Sequence, residues 1–308
     1  MRRMLKSVTN FAGLLLLSGA IWTAHSLGQS KAPAPTSPCS VEQVALRTAD
    51  GTLLDGVLYR PAANSRPTAI LLVHGFGSNF YSGYFPLLGR TAAEQGYAAL
   101  ALNMRDHDTG PKVSDFGDNQ VDIAAGLDCL RKLGYARFVL LGQSMGTNRV
   151  LYYQATTGDP TIAATLLVSG PGNLFEWNVW QLGRKKAQAS VDEALALQTA
   201  GQEQQFMLVD LGPLGKALYT ARYLLSLRGP KARSDPYQNI QKLKNPILVV
   251  QGTADKLVEP STADRLKRAA IASPTVDLIS FEGADHSFRG QEAVLAQRIL
   301  AWLKEAAP

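Results

Sequence analysis

Apolar runs recur along the chain at residues 69–73, 97–102, 138–141, 165–168 and 247–250, each closed by a glycine or a polar residue. A run with no polar face belongs to a strand covered on both sides, as in a parallel sheet. Between the runs the period changes. Residues 84–95, about 119–133, and 147–157 read as helices; in the second, Ile123, Leu127 and Leu130 stand at i, i+4 and i+7, which places them on one face. Residues 41–47 and 53–60 flank Asp50-Gly51, a hairpin signal that predicts two antiparallel edge strands. Residues 276–281 form a last strand before a closing helix whose Leu295, Ile299 and Trp302 face the sheet. The pattern predicts an α/β fold: a mostly parallel eight-stranded sheet flanked by helices.

The rhythm breaks over residues 172–245, where no strand is convincing and the length exceeds that of a plain connection. Residues 192–205 are rich in Ala, Leu, Gln and Glu, a helical composition. The stretch is therefore expected to be a helical cap inserted over the sheet, with Trp177 and Trp180 opening it at i and i+3.

At the N-terminus, Arg2, Arg3 and Lys6 precede an apolar stretch over residues 11–24, with small residues before Gln29. That arrangement reads as a secretory signal peptide over residues 1–28, the alternative being an uncleaved membrane anchor. Residues 29–40 read as a Pro-rich linker and 41–305 as one domain carrying the cap. Export to the periplasm or the outside follows from the leader, and its removal lowers the formal charge from +6 to +3. No basic cluster interleaved with aromatics suggests nucleic-acid binding. Arg184-Lys185-Lys186 and residues 228–233 read as solvated helix faces. Two cysteines, Cys39 and Cys129, leave a disulfide open.

Candidate chemistry centres on Gly142-Gln143-Ser144-Met145-Gly146, a Gly-x-Ser-x-Gly set between the 138–141 strand and the 147–157 helix. A serine in such a turn needs bare backbone on either side and is lifted clear of the sheet. A hydroxyl needs a base to become a nucleophile, and the base needs an orienting acid. His286, in a polar loop after the 276–281 strand, and Asp255, after the 247–250 strand, supply both at strand C-termini. The amides of Met145 and of Phe76, in the loop His74-Gly75-Phe76-Gly77, are the expected oxyanion donors. Each residue has a competing reading. Asp255 can be a turn cap, with Glu176 the substitute acid, and His286 a solvated loop residue. His74 reads as structural, and His107 between Asp106 and Asp108 as solvated.

These four segments, in the order Ser144, Asp255, His286, resemble the α/β-hydrolase superfamily over residues 41–305, and within it the exported esterase, lipase and serine-aminopeptidase-like branch. Asn103-Met104-Arg105-Asp106-His107 departs from the Asp-x-Arg-Gly-His-Gly common after the fourth strand of that superfamily. The reading implies hydrolysis of small-molecule carboxylic esters through an acyl-enzyme on Ser144, with no cofactor and no metal. Phe80, Tyr81, Trp177 and Trp180 are the expected contacts for an apolar acyl or aryl group. Two rivals stand beside it. One is an aminopeptidase or amidase holding a substrate amine with Glu176 or Asp210; the other is a non-catalytic binding protein on the same fold. Contact with a membrane is expected only through an uncleaved leader.

Overall fold

A computed structural model describes residues 38–307; the expected signal peptide and nearly all of the linker lie outside them. The chain enters as strand β1 (Cys39–Arg47), turns at Asp50-Gly51 and returns as β2 (Leu53–Pro61), then gives β3 (Thr68–Val73), helix α1 (Phe85–Glu94) and β4 (Ala98–Leu102). Helix α2 (Asn119–Lys132), β5 (Arg137–Gln143), α3 (Met145–Thr157) and β6 (Ile162–Val168) follow. The excursion contains α4 (Leu174–Leu182), α5 (Arg184–Thr199), β7 (Phe206–Asp210), β8 (Lys216–Thr220), α6 (Ala221–Arg228) and α7 (Pro236–Ile240). The chain then closes with β9 (Ile247–Gly252), α8 (Thr262–Ala269), β10 (Val276–Phe281) and α9 (Glu292–Ala306).

The central sheet has eight strands in the order β1-β2-β4-β3-β5-β6-β9-β10. Only β2 runs against its neighbours; from β4 to β10 every pairing is parallel. The unbroken apolar runs are explained by two-sided burial. Ile70, Leu72, Val139, Leu141, Leu248 and Val250 pack under α1 and α9. Their neighbours Ala69, Leu71, Phe138, Leu140, Ile247 and Val249 pack on the opposite face under α2, α3 and α8. Trp302 of α9 is half-buried and donates its indole N–H to Asp277 on β10 at 2.7 Å. Cys39 and Cys129 are free thiols. Among the described residues no helix is long and apolar enough to cross a membrane.

The cap departs from the expectation of an all-helical insertion. Residues 206–220 form an antiparallel hairpin, β7 paired with β8, in a two-stranded sheet of its own. Its alternation is genuine: Met207 and Val209 are buried while Phe206 and Leu208 are exposed. The exposed apolar residues hide the period of two, so the segment reads as helix-compatible hydrophobicity. The inward residues join Leu174, Tyr219, Leu224 and Leu227 in a third core that also takes in Met145 and Tyr152 of α3. The cap is thus anchored to the helix that follows Ser144.

Candidate active site

β5 ends at Gln143 and α3 begins at Met145, so Ser144 alone makes the turn. Its backbone sits at φ 53, ψ −127, a region that side chains avoid, at a cost of about 1–3 kcal/mol. Hydrogen bonds hold it there. Ser144 N donates to the Val168 carbonyl at 2.9 Å, and Thr147 donates to the Ser144 carbonyl from both its amide (2.9 Å) and its hydroxyl (2.8 Å). A Cβ on Gly142 would strike the Gly146 carbonyl, and one on Gly146 the Val73 carbonyl, which is why both positions are bare. Gly75 is a third such position: a Cβ there would lie 2.7 Å from that of Ser144.

Ser144 and His286 line one cavity of about 180 Å³, together with Met145, Phe76 and Trp177. His286 Nδ1 is 2.8 Å from Asp255 Oδ2. That oxygen also accepts from Gln251 Nε2 at 3.0 Å, while Oδ1 accepts the amides of Leu257 (2.8 Å) and Val258 (3.1 Å). Asp255 therefore caps its turn with one oxygen and holds the histidine with the other, and the two readings of it coexist. The carbonyl of His286 accepts from Ser169 Oγ at 3.1 Å, fixing the loop from the end of β6. Since a carboxylate accepts at Nδ1, the proton sits there and the Nε2 lone pair is left to act as base.

Met145 opens α3, so its amide belongs to the first turn, where a helix leaves its N–H groups without internal partners and carries a partial positive charge. Phe76 lies on the loop after β3, its ring edge-on to Tyr219 at 6.0 Å. His74, next to it, is structural. Its Nε2 accepts the Met104 amide at 3.0 Å, which forces the proton to Nδ1, where it is donated to the Gly75 carbonyl at 2.7 Å. Burial, reinforced by nearby Arg149, pushes its pKa down to about 3. Among the described residues no group of three or more His, Cys, Asp or Glu gathers to hold a metal.

Residues 70–298 match the sequence model of the alpha/beta hydrolase family. The chain belongs to that family. The sequence matches none of the curated proteins. Solved structures with the same fold include the esterase domain of a Rhodothermus marinus protein, at 20% identity and a TM-score of 0.60, covering 86% of this chain and 98% of that one. Est1E from Butyrivibrio proteoclasticus is similar at 17% identity and 0.63, covering 86% and 98%. A Pyrococcus furiosus esterase is similar at 18% and 0.63, covering 88% and 92%.

In this hydrolase the residues expected to touch substrate separate. Trp177 lines the cavity, 7% exposed, and its indole donates to the Leu257 carbonyl at 2.6 Å, tying α4 to the Asp255 loop. Trp180, one turn on, is 42% exposed on the outer face. Tyr81 is exposed, and Phe80 packs against the core under α1 and α9; neither lines the cavity. Glu176 pairs instead with Arg265 at 2.8 Å, and Asp210 accepts the Gly212 amide at 2.9 Å, both away from the cavity. His107 is exposed beside Asp108.

The Asn103–His107 departure proves to be the cap's anchor. Asp106, buried, takes Arg149 of α3 at 2.6 Å on one oxygen and the Tyr223 hydroxyl of α6 at 2.7 Å on the other. Burial alone would raise the Asp106 pKa, but Arg149 and the Tyr223 hydrogen bond outweigh it and hold it below the usual carboxylate range. Lys112, 1% exposed, donates to the carbonyls of Asp106, His107 and Asp108 while its backbone pairs with Leu218 and Thr220 at β8. The sequence marks neither lysine nor arginine as buried, although α3, enclosed from Met145 to Gln154, leaves Arg149 no outer face. Arg228, read from the sequence as part of a solvated face, is 6% exposed and lines the cavity.

Proposed function

We propose that this hydrolase cleaves carboxylic esters of short apolar acyl or aryl groups through an acyl-enzyme on Ser144. The observation that carries the reading is that Ser144, strained at its elbow, shares a cavity with His286, whose Nδ1 is held at 2.8 Å by Asp255. His286 Nε2 takes the serine proton as Oγ bonds to the ester carbon. The oxygen that becomes negative is received by the amides of Met145 and Phe76. His286 then gives the proton to the departing alkoxide. Water, deprotonated by the same nitrogen, attacks the acyl-enzyme, and Ser144 leaves with its proton restored. Asp255 stays charged throughout and stabilises the imidazolium.

The apolar wall, which includes Leu174, Trp177, Leu211 and Leu257, suits the hydrocarbon part of a substrate. At about 180 Å³ the cavity falls below the usual range for drug-sized ligands and favours short groups. The esterase names of the solved structures support the same class. The amidase reading loses its support, since both acids offered for a substrate amine lie off the cavity and the cation Arg228 stands in its wall. The basic, apolar N-terminus supports export, to the periplasm or the medium.

The test is reaction of the purified chain with a fluorophosphonate, mapped by peptide, beside turnover of p-nitrophenyl esters of graded length. Labelling confined to Ser144, lost in His286→Ala, with turnover falling as the acyl chain lengthens, is expected. A folded protein that neither labels nor turns over any ester leaves the non-catalytic binding protein in its place.

A further inference from the structure

Arg228 is the last residue of α6 and faces the same cavity as Ser144 and His286. Its Nε donates to the Leu174 carbonyl at 3.3 Å, and its guanidinium carbon lies 5.6 Å from the centroid of the Tyr219 ring. Nη1 is buried and has no hydrogen-bond partner. Among the described residues no carboxylate pairs with Arg228, whereas the other buried arginine, Arg149, has Asp106 at 2.6 Å. A cation held away from water without a counter-charge is costly. The Leu174 carbonyl and the ring and hydroxyl of Tyr219 offset part of that cost, but none of them carries a negative charge. A ligand anion in the cavity does.

We propose that the substrate carries a free carboxylate that binds Arg228, so that the ester cleaved is a half-ester of a short dicarboxylic acid or a similar monoanion. The inference rests on the ester-hydrolase reading and changes its acyl group from a wholly apolar one to a short hydrocarbon that ends in a carboxylate. One guanidinium neutralises one charge; a phosphate group, with nearly two, leaves an excess against Leu174, Trp177, Leu211 and Leu257. The planar fork of arginine also matches a carboxylate oxygen for oxygen. The same cation repels an ammonium group.

The decisive experiment compares monoethyl succinate, glutarate and adipate with their neutral isosteres, the ethyl esters of the corresponding monoamides. The best half-ester is expected to exceed its amide roughly 10- to 100-fold in kcat/KM, mainly through KM, as a charge-assisted hydrogen bond supplies. Arg228→Gln should bring that ratio to about one, and Arg228→Lys, which keeps the charge without the fork, to an intermediate value. Calorimetric binding of the same half-ester to Ser144→Ala, with and without Arg228→Gln, reads the site independently of turnover, with inorganic phosphate titrated as a weaker competitor.

A wild-type ratio near one, or a ratio that Arg228→Gln leaves unchanged, overturns the carboxylate site while ester hydrolysis stands. Phosphate binding more tightly than the half-ester overturns the choice of carboxylate. Arg228-dependent half-ester binding in a protein that neither labels at Ser144 nor turns over any ester keeps the anion site and overturns the hydrolase reading.

Discussion

On the sheet side of the cavity, Ser144, Asp255 and His286 stand on loops that leave β5, β9 and β10, and the serine and the acid are fixed largely by main-chain hydrogen bonds close by. Leu257 and Val258 hold Asp255, and Thr147 holds Ser144. On the cap side, Trp177 and Arg228 arrive on α4 and α6, and their placement depends on residues distant in the chain. Asp106 joins Arg149 to Tyr223, and Lys112 joins its own loop to β8. The sheet side thus owes its geometry to strand ends that the topology brings to one edge. The cap side owes it to a buried ionic clamp, and a clamp of that kind transmits damage. The two sides meet where Trp177 touches Leu257, where Tyr219 stands against Phe76, and where Met145 and Tyr152 enter the cap core.

The largest effects should fall on the sheet side and leave folding intact. Ser144→Ala or His286→Ala is expected to lower kcat by about 10⁵- to 10⁶-fold, and the double variant by no more, because the two act as a unit. Unchanged thermal unfolding beside lost turnover is the check, and additive losses would break the pairing. On the cap side, Asp106→Asn leaves Arg149 as a buried charge without its partner and should cost about 3–5 kcal/mol in urea unfolding. Tyr223→Phe, removing one hydrogen bond to the same carboxylate, should cost about 1–2 kcal/mol. If Asp106→Asn lowers activity with no loss of stability, the clamp is not what holds the cap.

Acid should weaken the loop that carries Phe76 before it affects the clamp. His74 is neutral in the fold with its pKa lowered to about 3, against 6.5 for the free side chain. Between those values the unfolded chain binds more protons, so stability is complete above about pH 6.5 and declines as pH falls. The decline is about 1.4 kcal/mol per unit, or about 2 kcal/mol by pH 5. Urea midpoints at pH 7 and pH 5 measure it, and His74→Gln should flatten that slope while lowering stability at pH 7. The smallest effects separate the two tryptophans. Trp177→Ala should raise KM about tenfold, the loss of one apolar contact and the Leu257 link. Trp180→Ala, on the exposed face of α4, should change it less than twofold.

The elbow was legible because its motif is compact: a serine at positive φ follows Gly142, whose Cβ would strike the Gly146 carbonyl within the same turn. Gly146 and Gly75 are kept bare from further off: their collision partners, Val73 and Ser144, lie 73 and 69 positions away. Asp255 and His286 were legible from strand-end position, although only their contact decides that the turn cap and the histidine's partner are one carboxylate. Trp177 and Trp180 have the same local sequence character and opposite fates.

By itself the sequence determined the eight-stranded sheet, through runs whose unbroken hydrophobicity only two-sided burial explains, and placed Ser144, Asp255 and His286 at the ends of three of its strands. Tertiary structure alone decided the cap hairpin, the clamp at Asp106 and the unpaired cation at Arg228. The physical reason is range. Hydrophobic period and backbone strain act over a few residues and leave their mark in neighbouring letters. The burial of a charge is a property of everything that folds over it, and in the chain a lysine or arginine beneath a cap reads the same as one in water.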